Sequence, residues 1–383
     1  MNAVEAVDPP RPSFLPVPNA FEHAPLVVIW EVTRACDLQC VHCRADAITC
    51  REAGELTTAE GCGLLDQMLG FGRPRVVLTG GDPLKRGDIF ELIAHGTGAG
   101  LDMSLSPSAT ALLTHASLRR AAGHCISGVS VSIDGPDAAS HDRFRGVTGT
   151  FARSLDAARN IVALGLDLHV NTTVTRHNLE QLEQLATLVH DLAVKRWSLF
   201  FLVPVGRATD SMQLTPPEFE RVFRWAYRLS KGSRFRIKTT EAPHYRRLVL
   251  QEWSRESGEE PLDLLRQSAS GHRRFIPGMN DGRGFVFISS KGHVQPSGFL
   301  PLPAANVRQA SLVDTYRTHP LFQALRDPDR LEGKCGACEF RAVCGGSRAR
   351  AFAATGNPLA SDTACVYCPA AWAGRRPGGA NPL

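Results

Sequence analysis

Residues 30–46 read WEVTRACDLQCVHCRAD and place Cys36, Cys40 and Cys43 in a C-x3-C-x2-C spacing. The run LVVIW at 26–30 directly precedes this stretch, and its β-branched, apolar composition predicts a buried strand. The three thiols are therefore expected on one short loop at the end of a strand. Thiolates are the usual ligands of iron–sulfur clusters. Structural zinc takes four protein ligands, so three thiols favour a cluster that keeps one iron open for a small ligand.

The cysteine spacing also resembles the signature of the radical SAM superfamily. In that family the open iron of a [4Fe-4S] cluster chelates the amino and carboxylate groups of S-adenosylmethionine. The resemblance implies that Cys36, Cys40 and Cys43 hold this cluster. It also implies that one electron cleaves the cofactor to a 5′-deoxyadenosyl radical, which removes hydrogen from a substrate. Zinc or unrelated free thiols remain the alternatives on spacing alone.

Downstream of the cysteine loop, strand-like and helix-like patterns alternate as far as about Leu229. This alternation predicts an α/β fold of parallel βαβ units. Six units are too few to close an eight-unit barrel, so we expect an open, partial (β/α)6 radical SAM barrel. The expected organisation is a flexible lead-in at 1–24, the barrel at 25–230, a linker or substrate-covering region at 231–283, and a small C-terminal domain at 284–383.

Small and polar residues follow several of the predicted strands, where parallel α/β folds build their sites. Gly80, Gly81 and Asp82 follow the second strand and resemble the motif that holds the methionine amino group in the radical SAM family. A strand-to-helix turn with an aspartate N-cap is the alternative interpretation. The other candidates for binding S-adenosylmethionine are Ser106, Ser108, Ser132, Asp134, Arg145, Asn171 and Thr173.

A second group of cysteines lies near the C terminus. Its first part, KCGACEFRAVCGG at 334–346, resembles the shortened SPASM domain called twitch, a small α+β domain that holds one auxiliary [4Fe-4S] cluster. The resemblance implies ligation by Cys335, Cys338 and Cys344, with Cys365 or Cys368 as the fourth ligand. A zinc ribbon made from the two C-x2-C pairs is the alternative, although it leaves one thiol unused.

The segment KTTEAPHYRR at 238–247 concentrates titratable and aromatic side chains. Glu241, His244 and Tyr245 are therefore candidate catalytic residues, for example as proton donors. A solvated basic helix face is the alternative. The arginine pairs at 246–247 and 273–274 would suit carboxylates through bidentate hydrogen bonds.

The arrangement CGG-x-RARA-x-A-x-TG at 344–356 resembles the radical enzymes of alternative heme maturation, which include the AdoMet-dependent heme synthase and the enzymes of d-type heme formation. This group often has a further cysteine where this chain has Ser347. The resemblance implies oxidative decarboxylation of tetrapyrrole propionates, with an electron donor such as flavodoxin or ferredoxin. A peptide-modifying maturase and a zinc-stabilised binding protein without catalysis are the alternative functions.

Composition narrows the class of protein. The chain has 383 residues, of which 43% are hydrophobic and 21% are charged, as expected for a globular enzyme with a large core. A net charge of +5 that is not gathered into one run argues against nucleic acid as a partner. Eleven cysteines, an odd number, favour metal ligands in a reducing compartment over disulfides. We therefore expect a cytoplasmic protein with no membrane span and no signal peptide.

Overall fold

The computed structural model describes residues 21–261 and 278–373. Residues 1–20 of the predicted lead-in, the segment 262–277 with Arg273 and Arg274, and the residues at 374–383 lie outside this description.

A ten-stranded sheet organises the described residues. The strands are β1 (Val27–Glu31), β2 (Arg75–Thr79), β3 (Asp102–Leu105), β4 (Gly128–Ser132), β5 (Asp167–Val174), β6 (Arg196–Phe201), β7 (Arg236–Thr240), β8 (Phe285–Ile288), β9 (His293–Gln295) and β10 (Ala305–Asn306). Their order in the sheet is β10-β9-β8-β1-β2-β3-β4-β5-β6-β7. Strands β1 to β7 pair in parallel with their neighbours, β8 is parallel to β1, and β9 and β10 are antiparallel additions.

Helices connect the strands and cover the outer face of the sheet. They are α1 (Thr58–Met68), α2 (Ile89–Gly98), α3 (His115–Gly123), α4 (Ala138–Arg145), α5 (Thr150–Ala163), α6 (Leu182–Asp191), α7 (Pro216–Gly232), α8 (Tyr245–Ser257), α9 (Leu312–Thr318), α10 (Pro320–Arg326), α11 (Gly333–Gly336), α12 (Arg348–Thr355) and α13 (Ala370–Ala373). Short 3-10 turns lie at Leu69–Phe71, Pro83–Lys85, Leu179–Gln181, Asp210–Met212 and Pro328–Arg330. Across the described ranges, no helix is both long and apolar enough to cross a membrane.

At least one helix follows each of the first six strands, which confirms the predicted partial (β/α)6 barrel. In the described part of the chain, β7 and β10 stand at opposite ends of the strand order, so the sheet stays open. The parallel strands bring their C-terminal ends to one edge. This edge carries the loops that follow β1 to β6.

Successive side chains of each strand point alternately to the buried core and to the inner face of the barrel. Val28 and Trp30 of β1 are fully buried, whereas Val27 and Ile29 on the other face of the strand are only half-buried. The expected capping box also forms at the start of α1, since the Thr57 hydroxyl accepts a hydrogen bond from the Glu60 N–H and the Glu60 carboxylate accepts one from the Thr57 N–H.

The segment predicted as a linker or substrate-covering region begins with a further strand, β7, and helix α8. Strand β7 reads RIKTT and pairs in parallel with β6, so it extends the barrel sheet. Its sequence lacks the apolar run of the earlier strands because Lys238 lies on the inner face. The domain boundaries stay a prediction.

Candidate active site

A cavity of about 200 Å³ opens at the C-terminal edge of the parallel strands. It is lined by Cys36, Cys40 and Cys43 of the loop after β1 and, from later strand ends and loops, by Gly80, Gly81, Ser106, Ser108, Ser132, Arg145, Asn171 and Thr173. The structure therefore brings together all but two of the residues predicted to hold the first cluster and S-adenosylmethionine, Asp82 and Asp134 being the exceptions. Their roles stay predictions, and the shared cavity makes them compatible with one bound ligand.

The cysteine loop presents its sulfurs among hydrogen-bond donors. The Leu38 N–H lies 3.3 Å from the Cys36 Sγ, and the Ala47 N–H lies 3.4 Å from the Cys43 Sγ. Burial raises the pKa of Cys36, and the Leu38 N–H and the Ser108 hydroxyl oppose that rise. Donors of this kind stabilise thiolates and are one of the levers by which proteins tune iron–sulfur clusters. The loop thus fits a cluster held by three cysteines.

Close backbone packing explains why two glycines follow β2. A Cβ on Gly80 would lie 2.4 Å from the Thr33 carbonyl oxygen, and one on Gly81 would lie 2.5 Å from the Ala35 carbonyl oxygen. The Gly81 N–H also donates to the Thr33 carbonyl at 2.8 Å. Only residues without side chains allow this backbone to pack against the segment that leads into Cys36. The glycines therefore position the cysteine loop as well as lining the cavity.

Asp82 does not face the cavity, contrary to the sequence-based expectation. Its side chain is fully buried and accepts hydrogen bonds from the Leu84 N–H at 3.1 Å and the Thr110 hydroxyl at 2.6 Å. The aspartate caps the 3-10 turn Pro83–Lys85, which was the alternative interpretation of this motif. Because the carboxylate is committed to these donors, it is not available to an amino group in the cavity.

Asp134 also lies behind the cavity wall, where it orients Arg145. The Arg145 Nε donates to the Asp134 Oδ2 at 2.7 Å, and the Thr173 N–H donates to Oδ1 at 2.7 Å. Burial raises the pKa of Asp134, but Arg145 and other partners outweigh this and hold it below its usual value. The Arg145 Nη1 lies 3.8 Å from the Cys40 Sγ. Asp134 therefore fixes a cation beside the thiols rather than contacting a ligand itself.

Several residues that line the cavity were not among those predicted from the sequence. Arg44 lies next to Cys43, donates to the Glu31 carboxylate at 2.5 Å and packs over the Phe287 ring. The apolar wall consists of Leu38, Phe200, Phe201, Leu202, Val203 and Phe299. The end of β6 gives a signal for the residues from Phe200 to Val203, because it lies on the same edge as the other strand ends. Phe299 comes from a distant loop and has no local signal.

A catalytic role for Glu241, His244 and Tyr245 stays a prediction, and their positions do not support it. None of them lines the cavity beside the first cysteine loop. Tyr245 is buried against Phe223, and Glu241 accepts a hydrogen bond from the Ser347 hydroxyl at 2.6 Å. His244 is fully buried 3.6 Å from Asp362, where burial lowers its pKa to about 3. Glu241 and Tyr245 belong to the packing between β7, α8 and the C-terminal region, whereas His244 also lines a smaller cavity beside the C-terminal cysteines.

The C-terminal cysteines surround a second, smaller cavity of about 20 Å³. Its thiols are Cys335, Cys338, Cys344 and Cys365, whereas Cys368 is exposed and does not line it. The Gly346 N–H lies 3.4 Å from the Cys344 Sγ, and the Asp362 N–H lies 3.4 Å from the Cys335 Sγ. Four thiols around one cavity, with backbone donors aimed at two of them, fit an auxiliary cluster.

No three Cys, His, Asp or Glu side chains within residues 21–261 and 278–373 converge on the position of a single metal ion.

Arg246 holds the C-terminal region in place, and Arg247 joins α8 to α7. The two terminal nitrogens of Arg246 donate to the carbonyls of Val343 and Met279, at 3.0 and 2.5 Å. Arg247 forms a buried ion pair with Glu220. The sequence had suggested that these two guanidinium groups could bind a substrate carboxylate. Both are instead engaged by groups of the protein itself. The other predicted arginine pair lies outside the described residues.

Comparisons with known proteins agree with this geometry. The radical SAM superfamily model matches residues 30–189. The AdoMet-dependent heme synthase of Methanosarcina barkeri is 39% identical over 350 residues, which cover 91% of this chain and 99% of that protein. A mycofactocin maturase of Mycobacterium ulcerans is 30% identical over 356 residues, covering 90% of each.

Among solved structures, Streptococcus suis SuiB bound to S-adenosylmethionine superposes with a TM-score of 0.69 at 18% identity, over 90% of this chain and 78% of that one. At this identity the likeness concerns the fold alone.

Proposed function

The chain belongs to the radical SAM superfamily, and on that premise we propose that it oxidatively decarboxylates propionate side chains of an iron-tetrapyrrole. The observation that carries the proposal is the 39% identity to an AdoMet-dependent heme synthase along nearly the whole of both chains. Heme carries vinyl groups where its four-propionate precursor, iron-coproporphyrin, carries propionates.

The first cavity supplies the site for the radical step. We assign the cluster ligands as Cys36, Cys40 and Cys43. When bound, the cluster and S-adenosylmethionine would supply a 5′-deoxyadenosyl radical that removes hydrogen from an unactivated carbon. The chain's own contribution is the glycine-edged rim, the hydroxyls of Ser106 and Ser108, and an apolar wall that excludes water from a reactive species.

Arg145 is the side chain best placed to receive the carboxylate of S-adenosylmethionine. It lines the cavity, Asp134 fixes its orientation, and it carries a positive charge beside the thiols. Ser132, Asn171 and Thr173 lie on neighbouring strand ends and supply hydrogen-bond groups for the ribose or the methionine part. Such positioned polar groups keep the reacting carbon close to the substrate.

The electron balance requires an acceptor. Removal of one hydrogen atom from a propionate leaves a carbon radical next to the carboxymethyl group. Loss of carbon dioxide then forms the vinyl group and releases one electron. We propose that Cys335, Cys338, Cys344 and Cys365 would hold an auxiliary cluster, which when bound would supply an acceptor or relay for this electron. A low-potential donor such as flavodoxin or ferredoxin would supply the electron that starts each cycle.

An anaerobic assay of the reconstituted enzyme tests the proposal. Iron-coproporphyrin, S-adenosylmethionine and dithionite are expected to yield 5′-deoxyadenosine and carbon dioxide in equal amounts. Cys36→Ala is expected to abolish both products because the first cluster loses a ligand. Cys125→Ala is the matched control, since this exposed thiol lies outside both cavities.

Formation of 5′-deoxyadenosine that does not respond to the porphyrin, with no carbon dioxide, would reject the tetrapyrrole substrate. The search would then move to peptides, which the 30% identity to a mycofactocin maturase supports as the second candidate. Retained cleavage of S-adenosylmethionine in Cys36→Ala would reject the assigned ligands.

A further inference from the structure

The inner face of the barrel carries a group of basic side chains below the active-site cavity, which we call the cation layer: Arg75, His169, Arg196 and Lys238. Strand register places them there. His169 lies two residues before Asn171, and Arg196 lies four residues before Phe200, so each shares a face with a residue that lines the cavity. Lys238 pairs with Ser198, which lies on that same face of β6. Two residues of strand correspond to roughly 7 Å.

Two members of the cation layer, Lys238 and Arg196, have donor groups without an acceptor. Within the described residues the Lys238 ammonium makes no hydrogen bond and no ion pair, and the buried Arg196 Nε has no hydrogen-bond partner. The Arg196 Nη2 donates to the His169 Nδ1 at 2.9 Å, so this ring nitrogen is an acceptor. Arg75 is paired with Asp102 at the lower rim, where both side chains are about one-third exposed. Lys238 and Arg196 are half-buried, and a cation that has lost part of its hydration is costly unless something negative binds to it.

The electrostatics of the layer agree with this geometry. Burial and the neighbouring Arg196, Arg246 and Arg75 lower the pKa of Lys238 to about 7. Burial and the neighbouring Arg75 and Arg236, against the opposing charge of Asp167, lower the pKa of Arg196 to about 10. Neighbouring cations thus contribute to the lowered pKa of both Lys238 and Arg196, and an anion between these two side chains would relieve the repulsion.

We propose that Lys238 and Arg196 form an anion-binding site inside the barrel for a carboxylate of the substrate other than the one that reacts. The inference rests on the proposed function, because a tetrapyrrole with several propionates presents carboxylates well separated around one rigid ring. One carboxylate would stand near the radical while another reaches the cation layer. The site would thereby set which propionate is decarboxylated.

Binding of iron-coproporphyrin to the anaerobic holoenzyme with S-adenosylmethionine tests this site, followed by the porphyrin absorbance. Lys238→Met is expected to weaken binding about tenfold, because a charge-assisted hydrogen bond is lost. Lys238→Arg keeps the charge and is expected to retain most of the affinity. Lys195→Met is the matched control, since it removes a positive charge from an exposed position just before β6.

The possible results distinguish failure of the anion site from failure of the proposed function. If the wild type binds the porphyrin and Lys238→Met binds it equally well at full iron content, the anion site is wrong and the proposed function stands. If Lys195→Met weakens binding as much as Lys238→Met does, the effect is general electrostatics and the site is again wrong. If the wild type binds no tetrapyrrole, the proposed function fails and the inference fails with it.

Discussion

At the scale of single residues, the pair formed by Asp134 and Arg145 links the protein core to the cavity. The aspartate is fully buried, and its two oxygens serve Arg145 and the Thr173 N–H. The arginine in turn reaches the Cys40 sulfur. A charge held this way needs no reorganisation when an anionic ligand arrives.

We therefore expect Asp134→Asn to weaken binding of S-adenosylmethionine about tenfold. The substitution keeps the shape and an acceptor for Thr173, but Arg145 loses its charged partner and its fixed orientation. Equilibrium binding of the cofactor to the reconstituted enzyme measures the effect.

Asp137→Asn is the control for this variant. Asp137 lies on the same loop and caps α4 through Ser140, a role that asparagine fills equally well. Equal affinities in wild type and Asp134→Asn would show that Arg145 does not depend on its partner.

The sequence predicted the residues that line the cavity wherever a strand end fixes their position. Ser132, Asn171 and Thr173 follow from the rule that parallel strands place their C-terminal ends on one edge. The direction of Glu241 could not be predicted in this way, because it depends on the Ser347 hydroxyl, far away in the sequence. For Asp82 the local sequence offered the N-cap as one of two interpretations, but it gave no sign of the second donor, the Thr110 hydroxyl. Side-chain partners that arise only from tertiary contacts leave no local pattern.

At the scale of elements, the turn after β2 determines where the cysteine loop lies. Gly81→Ala would place a methyl group 2.5 Å from the Ala35 and Arg34 carbonyl oxygens, and backbone cannot yield as a flexible side chain can. We expect the loop to shift and the first cluster to be lost. Reconstituted protein should then hold about four irons instead of about eight.

Gly63→Ala is the matched control for that experiment. A Cβ at Gly63 meets nothing within 4 Å, and the residue lies in the interior of α1. Alanine favours a helix interior by roughly 0.5–1 kcal/mol, so this variant should hold all its iron and melt slightly higher. A full iron content in Gly81→Ala would contradict the assigned role of the glycine turn.

The loop after α12 decides the fourth ligand of the auxiliary cluster. Cys365 lines the second cavity, whereas Cys368 is exposed and its Sγ lies 4.0 Å from the Pro369 carbonyl oxygen. We expect Cys365→Ala to reduce the iron content to about four and Cys368→Ala to leave about eight, as measured by iron and sulfide analysis. The reverse pattern would assign the ligand to Cys368.

Elements with strong apolar periodicity were predictable, and two others were not. Helix α4 reads AASHDRFR and lacks an apolar stripe, yet Asp137 caps it and it delivers Arg145 to the cavity. Strand β7 carries two basic residues, Arg236 and Lys238, at alternate positions, and Lys238 belongs to the cation layer on the inner face. In both elements a charged residue interrupts the apolar periodicity, and that residue faces the site or the barrel interior: Arg145 in α4 and Lys238 in β7.

At the scale of the whole molecule, the C-terminal region is built into the barrel. Strand β8 pairs in parallel with β1, and the end of β7 meets α12 through buried polar contacts. Glu241 accepts from the Ser347 hydroxyl, Asp281 accepts from the Ala349 N–H at 3.0 Å, and Arg350 donates to the Glu241 carbonyl at 2.9 Å. Both cavities are therefore held in one cooperative structure.

Glu241 gives this connection a pH dependence. Burial and the neighbouring Asp281 raise the pKa of its carboxyl well above the usual value, so the folded state holds the proton more tightly than the unfolded chain. A raised pKa contributes stability that is fully present below the unfolded pKa of about 4.3 and is lost as the pH rises towards the folded pKa. Glutamine resembles the protonated acid, since it offers one acceptor to Ser347 and one donor to Asp281.

Glu241→Gln is accordingly expected to leave the thermal midpoint unchanged near pH 5 and to raise it at pH 8. At pH 8 the wild type must on folding either protonate this carboxyl or bury it as a carboxylate, and either process costs free energy of folding. Glu241→Ala should melt lower at both values, because Ser347 and Asp281 lose their partner. Glu180→Gln is the control, since this exposed carboxylate pairs with Arg221 at the surface and should change stability by less than about 0.5 kcal/mol. A lower midpoint for Glu241→Gln at pH 8 would mean that the connection between β7 and α12 needs the ionised carboxylate, which would contradict the raised pKa of Glu241.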